Sequence, residues 1–397
     1  MRSVAEHRSI VADLLRPRPL VESPLAEALG LASARDITAP LSLPGFDNSA
    51  MDGYAVVAAD VAAATDATPV RLPVAADIPA GRVDGPPLRP GTAHRIMTGA
   101  PVPPGADAIV PVELTDGSTG TVAFFGSTEP GRHIRLAGGD VRAGEVVLTA
   151  GRCLGAPQLG LLSALGLPTV TVFPPLRVLV LSTGSELVRP GEPLQHGQIH
   201  ESNGIMLASA VREAGALAEQ RAFVADDPDA FLSALRSADV DLVLTSGGVS
   251  AGAYEVVKDT LSTRGVEFAK VAMQPGMPQG AGIFDGVPIV TLPGNPVSAL
   301  VSFEVFVRPA LLRAMGFADT ERSRSVAELT QPVRSPQGKR QFQRGVHDRS
   351  AGTVHPIGPP ASHHLRWLAA SNCLLEIPED VTEMPAGATI SVWDLDD

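Results

Sequence analysis

The sequence predicts a multidomain fold of α/β plus β type, with a central doubly wound α/β domain over 176–322. Around it lie a β-rich inserted domain over 46–135, an N-terminal and linking domain made of 1–45 and 136–175, and a small C-terminal β domain over 323–397. Three observations predict this. The 397 residues suffice for roughly two to four domains at ~100–200 residues each, every one able to bury a core. From residue 176 onward, short continuous apolar runs alternate with helical patterns, the rhythm of a sheet flanked by helices. The chain holds 39 Gly and 36 Pro in all, and outside the central domain these help break it into short runs of β character.

Apolar spacing predicts a helix over 3–15, stopped by Pro17 and Pro19 and able to pack on the central domain. The stretch 41–135, rich in Pro, Gly, Val and Thr, reads as strands and turns, and 157–165 as a second helix. The run 176–181 (LRVLVL) is the first strand of the central sheet, apolar throughout as a strand buried on both faces must be. A helix over 204–214 follows, then a strand over 221–224, a helix over 228–237 and a second buried strand over 241–245. The series ends with a helix over 255–263, strands over 266–271 and 287–292, and one long helix over 297–315. Beyond Arg324 the chain returns to short β runs broken by Gly and Pro.

Composition excludes several functions. Lys and Arg total 31 against 43 Asp and Glu, a net charge of −12, and no Lys/Arg block is present to neutralise nucleic-acid phosphates. No apolar run approaches the ~18–20 residues that span a bilayer. Arg2, Glu6, His7 and Arg8 leave no apolar segment for a signal peptide. Cys153 and Cys373 form no CxxC pair, so a disulfide framework and a zinc finger drop out and a reducing cytoplasm is expected. The patterns HExxH and GxxxxGK[ST] are absent.

Ligands of open α/β sheets bind beyond the carboxyl ends of the parallel strands. Three such ends carry loops of small residues: Ser182-Thr183-Gly184-Ser185-Glu186, Ser246-Gly247-Gly248-Val249-Ser250-Ala251-Gly252 and Pro293-Gly294-Asn295-Pro296. Each reads either as a tight strand-to-helix turn or as a loop whose N–H and hydroxyl groups hold an anion, usually phosphate. Glu186, Asp226, Asp227 and Glu255 fall on the same edge. They read as caps and solvated turns, or as acids that share a phosphate ligand through Mg²⁺, which takes few carboxylates plus phosphate oxygens and water. Lys270, Arg340 and Arg344 are either surface charges or partners of an oxyanion. The histidines His196, His200, His363 and His364 lack convergent ligand spacing and read as surface or core residues. Residues 44–55 and 95–103 are structured loops without helical or strand periodicity.

Taken together, the segments PGFDNSAMDGYAV (44–56), RIMTGAPVP (95–103), STGSEL (182–187), SGGVS (246–250) and LPGNPVSA (292–299) resemble the molybdopterin molybdenumtransferases. These form the MoeA family, which includes the E domain of gephyrin. The resemblance implies a central domain of the molybdopterin-binding type and a C-terminal β-barrel-like domain. It implies insertion of molybdate into adenylylated molybdopterin with release of AMP, aided by Mg²⁺. By position it implies catalytic roles for Asp52, Thr98, Glu186, Asp226, Glu255 and Lys270, with Glu186, Asp226 and Glu255 around the metal. Binding roles fall to Asp140, Ser182, Thr183, Gly184, Ser246, Gly247, Gly248, Ser250, Pro293, Gly294, Asn295, Pro296, Arg344 and Ser362. The family cleft lies between two subunits of a homodimer, to which Asp52 and Thr98 would contribute across the interface, and other cofactor-biosynthesis proteins are further possible partners. The sequence departs from the family at Glu255 and Ser185, where Asp is common, and at Gln274 and Met277, where lysines are common. Two alternatives remain: an enzyme that adenylylates molybdopterin, or a cofactor-binding scaffold without catalysis.

Overall fold

The structure, a computed structural model, describes residues 1–81, 84–221, 228–237, 239–248 and 256–396. Asp226, Ser250 and Glu255 lie outside the described residues. The chain forms two compact units, one of Met1–Arg35, Ala150–Gly155 and Thr169–Asp397, the other of Asp36–Thr149 and Ala156–Pro168. The segments expected to form one linking domain, 1–45 and 136–175, are divided between them.

In the first unit, α1 (Val4–Leu14) starts where the Ser3 hydroxyl accepts the Glu6 N–H at 3.1 Å and buries Val4, His7 and Val11. The α/β region then contains β1 (Arg177–Ser182), α2 (Asn203–Glu213), β2 (Leu217–Gln220), α3 (Pro228–Arg236) and β3 (Leu242–Ser246). It continues through α4 (Val256–Leu261), β4 (Val266–Lys270), β5 (Pro278–Phe284), β6 (Val287–Leu292), α5 (Pro296–Ser302), a π-helical turn at Phe303–Val307 and α6 (Arg308–Ala314). The sheet order is β2-β1-β3-β6-β5-β4. Alternation puts Val178 and Val180 of β1 in one core with Leu207, Val211 and Phe306, whereas Leu179 and Leu181 join Phe231, Leu235 and Leu261 in another. Helices on both faces therefore explain the unbroken apolar run of β1.

Three details differ from the sequence expectation. The first four strands are parallel, but β5 runs antiparallel to both β6 and β4, so the sheet is mixed. The sequence reading missed β5 because Gly280 and Gly282 weaken its β pattern; added Cβ atoms there would meet Thr291 and Gly265. Leu217–Gln220 is an unexpected edge strand, whose four residues Leu-Ala-Glu-Gln show no period-2 alternation; of the strand expected at 221–224, residues 222–224 lie outside the described residues. The helix expected over 297–315 passes through the π-helical turn just before Pro309. Pro309 has no N–H for the Val305 carbonyl four residues earlier, and Arg8 Nε of α1 donates to that oxygen at 3.1 Å.

The end of the unit holds β7 (Arg324–Leu329), β8 (Arg340–Asp348), β9 (Thr353–Pro356), α7 (Leu365–Ala369), β10 (Cys373–Ile377) and β11 (Thr389–Asp394). The order β8-β9-β7-β11-β10 closes through a β8–β10 pairing into a five-stranded barrel, which removes its free edges. In the second unit a five-stranded sheet contains Gly53–Val56 between Ala93–Ile96 and Ala108–Pro111. Tyr54, Val56, Val110 and Phe124 fill its core.

The fit of α1 against the helix carries a pH signature. The fully buried His7 ring stands edge-on to Phe306 at 4.7 Å. Burial, aided by Arg2, pulls its pKa from 6.5 down to about 4. The folded state thus favours the neutral ring and the unfolded chain binds the proton more readily, so this term destabilises the fold as pH falls from 6.5 to about 4. A shift of that size is worth on the order of 3 kcal/mol. Urea unfolding of His7→Phe should lose less stability than the parent between pH 6.5 and 4.5; an identical slope in both proteins would contradict the assignment.

Candidate functional site

In the first unit the chain passes from β1 to β2 on one side and then to β3 on the other. The carboxyl ends of β1 and β3 therefore flank the point where the strand order reverses, the usual ligand crevice of such sheets. The parallel ladder extends past both ends. Thr183 N–H donates to Ser246 O at 3.0 Å and Gly247 N–H to Leu292 O at 3.1 Å. These two N–H groups serve the ladder, so they are not the donors for an anion. Gly247, at φ +95°, leaves no room for a side chain, since a Cβ would lie 2.5 Å from Thr183 O, and a Cβ at Gly294 would rest 3.4 Å from Gly247 Cα. Backbone thus packs on backbone across all three loops.

Two cavities open on this edge. The larger, about 620 Å³, is lined by Ser182, Thr183, Gly184, Glu186, Ser246, Gly247, Gly248, Gly294, Asn295 and Pro296 from the three expected loops. It is also lined by Glu201, Asn203 and His363, which the sequence reading did not single out as site residues. The smaller, about 400 Å³, is lined by Gln274, Pro275, Pro293, Ser298, Ser362 and their neighbours, and it shares Gly294, Asn295 and His363 with the larger. No Lys or Arg is among the described residues that line it. Ser362 is fixed by its carbonyl, which accepts the N–H of Val297 at 3.0 Å at the start of α5.

Several residues reach the larger cavity by a route that linear patterning hides. After the first loop the chain makes an excursion and returns beside it: Ile199 N–H donates to Glu186 O at 2.9 Å and Glu201 N–H to Val188 O at 2.8 Å. Asn203, at the start of α2, donates from Nδ2 to Gly294 O at 2.7 Å and ties the helix to the third loop. The only local signal was a polar turn, Glu201-Ser202-Asn203, before a helix. His363 packs edge-on against His364 at 4.4 Å.

Lys270 lies exposed at the carboxyl end of β4 and lines neither cavity. Gln274 Oε1 accepts Gln341 Nε2 at 2.8 Å, and Gln341 Oε1 accepts Gln343 Nε2 at 2.7 Å. A chain of neutral amides thus stands beside the small cavity. Arg344, only 4% exposed, sends its guanidinium to backbone carbonyls: Ala361 O and His364 O at 3.2 Å each, and Pro359 O. Its fork holds the segment that carries Ser362 and His363.

In the second unit, Gly53 pairs with Ile96 in antiparallel register, which brings the residue before one strand beside those after the other. The Asp52 Oδ1 accepts both the N–H and the hydroxyl of Thr98, at 2.7 and 2.8 Å. These two bonds hold the Asp52 carboxyl below the usual range for an aspartate. The structure brings Asp52 and Thr98 together; Asp140 is exposed in a turn, its N–H donating to Leu43 O at 3.0 Å.

The Arg344 geometry sets a test. Lysine keeps the charge but cannot reach three carbonyls at once, so Arg344→Lys should destabilise the protein by about 2 kcal/mol, leaving part-buried acceptors without their charged donor. Amide exchange near 361–365 should quicken in the variant. Unchanged denaturation and exchange would show that the guanidinium does not hold this segment.

Family models match the chain in three consecutive parts: the MoeA N-terminal region (domain I and II) at residues 2–166, a probable molybdopterin binding domain at 179–313, and the MoeA C-terminal region (domain IV) at 326–395. A protein of Mycobacterium tuberculosis (strain ATCC 25618 / H37Rv), named molybdopterin molybdenumtransferase 2, is 59% identical over 404 aligned residues that cover 100% of both chains. The molybdopterin molybdenumtransferase of Haemophilus influenzae is 36% identical, over 93% of this chain and 92% of its own. The crystal structure of a molybdopterin biosynthesis MoeA protein from Pyrococcus horikoshii OT3 matches with a TM-score of 0.83 at 29% identity, over 99% of this chain and 100% of that one. With matches that run from one end to the other, the chain belongs to the MoeA family.

Proposed function

We propose that the chain is a transferase of molybdenum cofactor biosynthesis that inserts molybdate into adenylylated molybdopterin and releases AMP. The observation that carries this reading is the pair of adjoining cavities at the carboxyl edge of the sheet, about 620 and 400 Å³, with Gly294, Asn295 and His363 common to both. The larger falls in the range of small-molecule and cofactor sites. The smaller would take the end of the substrate that receives the oxyanion.

In this reading the anhydride is cleaved by water, AMP leaves, and molybdate joins the pterin's dithiolene sulfurs. The residues of this chain supply positioning. The three zipped loops fix the crevice, Asn203 holds the third loop against α2, and Arg344 holds the segment bearing Ser362. Glu186 lines the larger cavity and is the described member of the expected metal set. Among the described residues no group of three or more His, Cys, Asp or Glu could hold a metal ion. Mg²⁺ is bound through one or two carboxylates together with substrate phosphates and water, so Glu186 suits a metal that arrives with the anhydride. When bound, Mg²⁺ would offset the negative charge of the phosphates. A cytoplasmic homodimer belongs to the same proposal, and sedimentation equilibrium checks the dimer. No helix among the described residues is long and apolar enough to cross a membrane.

The experiment mixes the purified protein with adenylylated molybdopterin, Mg²⁺ and molybdate, and follows AMP and metal-loaded cofactor. Molybdate-dependent AMP release is expected, lost on chelation of Mg²⁺. Asp52→Ala and Glu186→Ala should slow it at least tenfold while retaining the fold, since both side chains are exposed in loops. AMP release that ignores molybdate would sink the proposal. ATP consumption with molybdopterin alone would point instead to adenylylation.

A further inference from the structure

Glu201 is a carboxylate for which the expected phosphate chemistry has no use. It is 7% exposed and lines the larger cavity, and among the described residues no basic side chain pairs with it. Its Oε1 accepts the Ser182 hydroxyl at 2.8 Å and the Gly204 N–H at 2.6 Å, while no described residue donates to Oε2. A carboxylate buried without a cation is costly, and here one of its oxygens faces a cavity.

The hydroxyls around it fix the polarity of this wall. A serine has one O–H to give, and Ser182 gives it to Glu201. The Ser246 hydroxyl lies 3.4 Å from Ser182 Oγ, a contact in which Ser182 has no proton left to donate. The Ser182 proton points to the acid, so what Ser182 leaves for a ligand is a lone pair. Such a wall repels a phosphate oxygen and accepts N–H groups. A 2-amino-4-oxopyrimidine edge offers two neighbouring donors, the ring N–H and the 2-amino group, which match adjacent acceptors on Glu201 and Ser182. The adenine edge alternates a donor with an acceptor and fits less well.

We propose that Glu201 is the residue that recognises the pterin ring, with Ser182 held by it as the second acceptor. The inference rests on the proposed function, since it takes molybdopterin as the substrate whose ring must be bound. It places the heterocycle against Glu201, at the ends of β1 and β3, and turns the Ser182 hydroxyl from an anion donor into a ring acceptor.

The test titrates the full chain with pterin, followed by its fluorescence, and with lumazine (oxo in place of the 2-amino group), GMP and AMP, followed by calorimetry. Pterin should bind at least tenfold more tightly than lumazine. Glu201→Gln should weaken pterin at least tenfold, leave AMP within twofold and keep the parent's circular dichroism. Ser182→Ala should weaken pterin in the same direction. Equal affinity of pterin for parent and Glu201→Gln overturns the inference, as do equal losses of pterin and AMP, which indicate a structural role, or no pterin binding by the parent. Binding of GMP through Glu201 without binding of pterin assigns the wall to a guanine ring and overturns it too. If the parent still releases AMP on adding molybdate, such a result removes only this inference; if it does not, the function beneath has failed.

Discussion

Everything at this site depends on three loops being held backbone against backbone. The Thr183 N–H to Ser246 O and Gly247 N–H to Leu292 O bonds carry the parallel ladder one residue beyond the strands. That continuation is possible only where no side chain intervenes, which is why Gly247 sits against the Thr183 carbonyl and Gly294 against Gly247. Irregular loops on a sheet edge are normally the mobile part of a fold. Here the first residues of the loops after β1 and β3 share the hydrogen bonds of the sheet. The two core layers on either face of β1 hold the frame to which the loops are tied.

The chemistry of the crevice is then decided by what surrounds this frame. The larger cavity has acids on its walls, Glu186 exposed and Glu201 buried, and the smaller is bounded by proline, glycine, amide and hydroxyl groups with His363 as its basic member among the described residues. The net charge of −12 is thus partly concentrated where an anionic substrate is proposed to bind, and a divalent cation would relieve the repulsion. The Gln343–Gln341–Gln274 chain keeps its polar atoms satisfied without charge. Arg344 contributes geometry by organising carbonyls, so its influence on the site passes through the segment that it holds.

Much of this was legible in the sequence. The apolar runs of β1 and β3 announced a sheet covered on both faces, and the Gly-rich loops after β1, β3 and β6 fall on the edge where the two cavities open. Asp52 and Thr98 were singled out from separate segments that the Gly53–Ile96 register brings together. What stayed hidden has a common physical cause: it depends on where the chain returns. Glu201 comes back to the cavity after an excursion of some fifteen residues, and His363 arrives from the barrel. Neither carries a local pattern that differs from a polar turn. The antiparallel β5 and the π-helical turn were missed because glycines obscured one, while a helical period ran on through the other. The edge strand β2 went unrecognised because its four residues, Leu-Ala-Glu-Gln, show no period-2 alternation.

The proposed function requires the substrate to bind against the zipped loops at the carboxyl edge of the sheet. Hydrogen exchange of the protein, measured with and without adenylylated molybdopterin, tests it most directly. The ligand should slow exchange in peptides covering 182–187, 199–205 and 293–298, with the neighbouring barrel segment 359–365 following. Protection confined to other surfaces, with these peptides unchanged at saturating ligand, would contradict it.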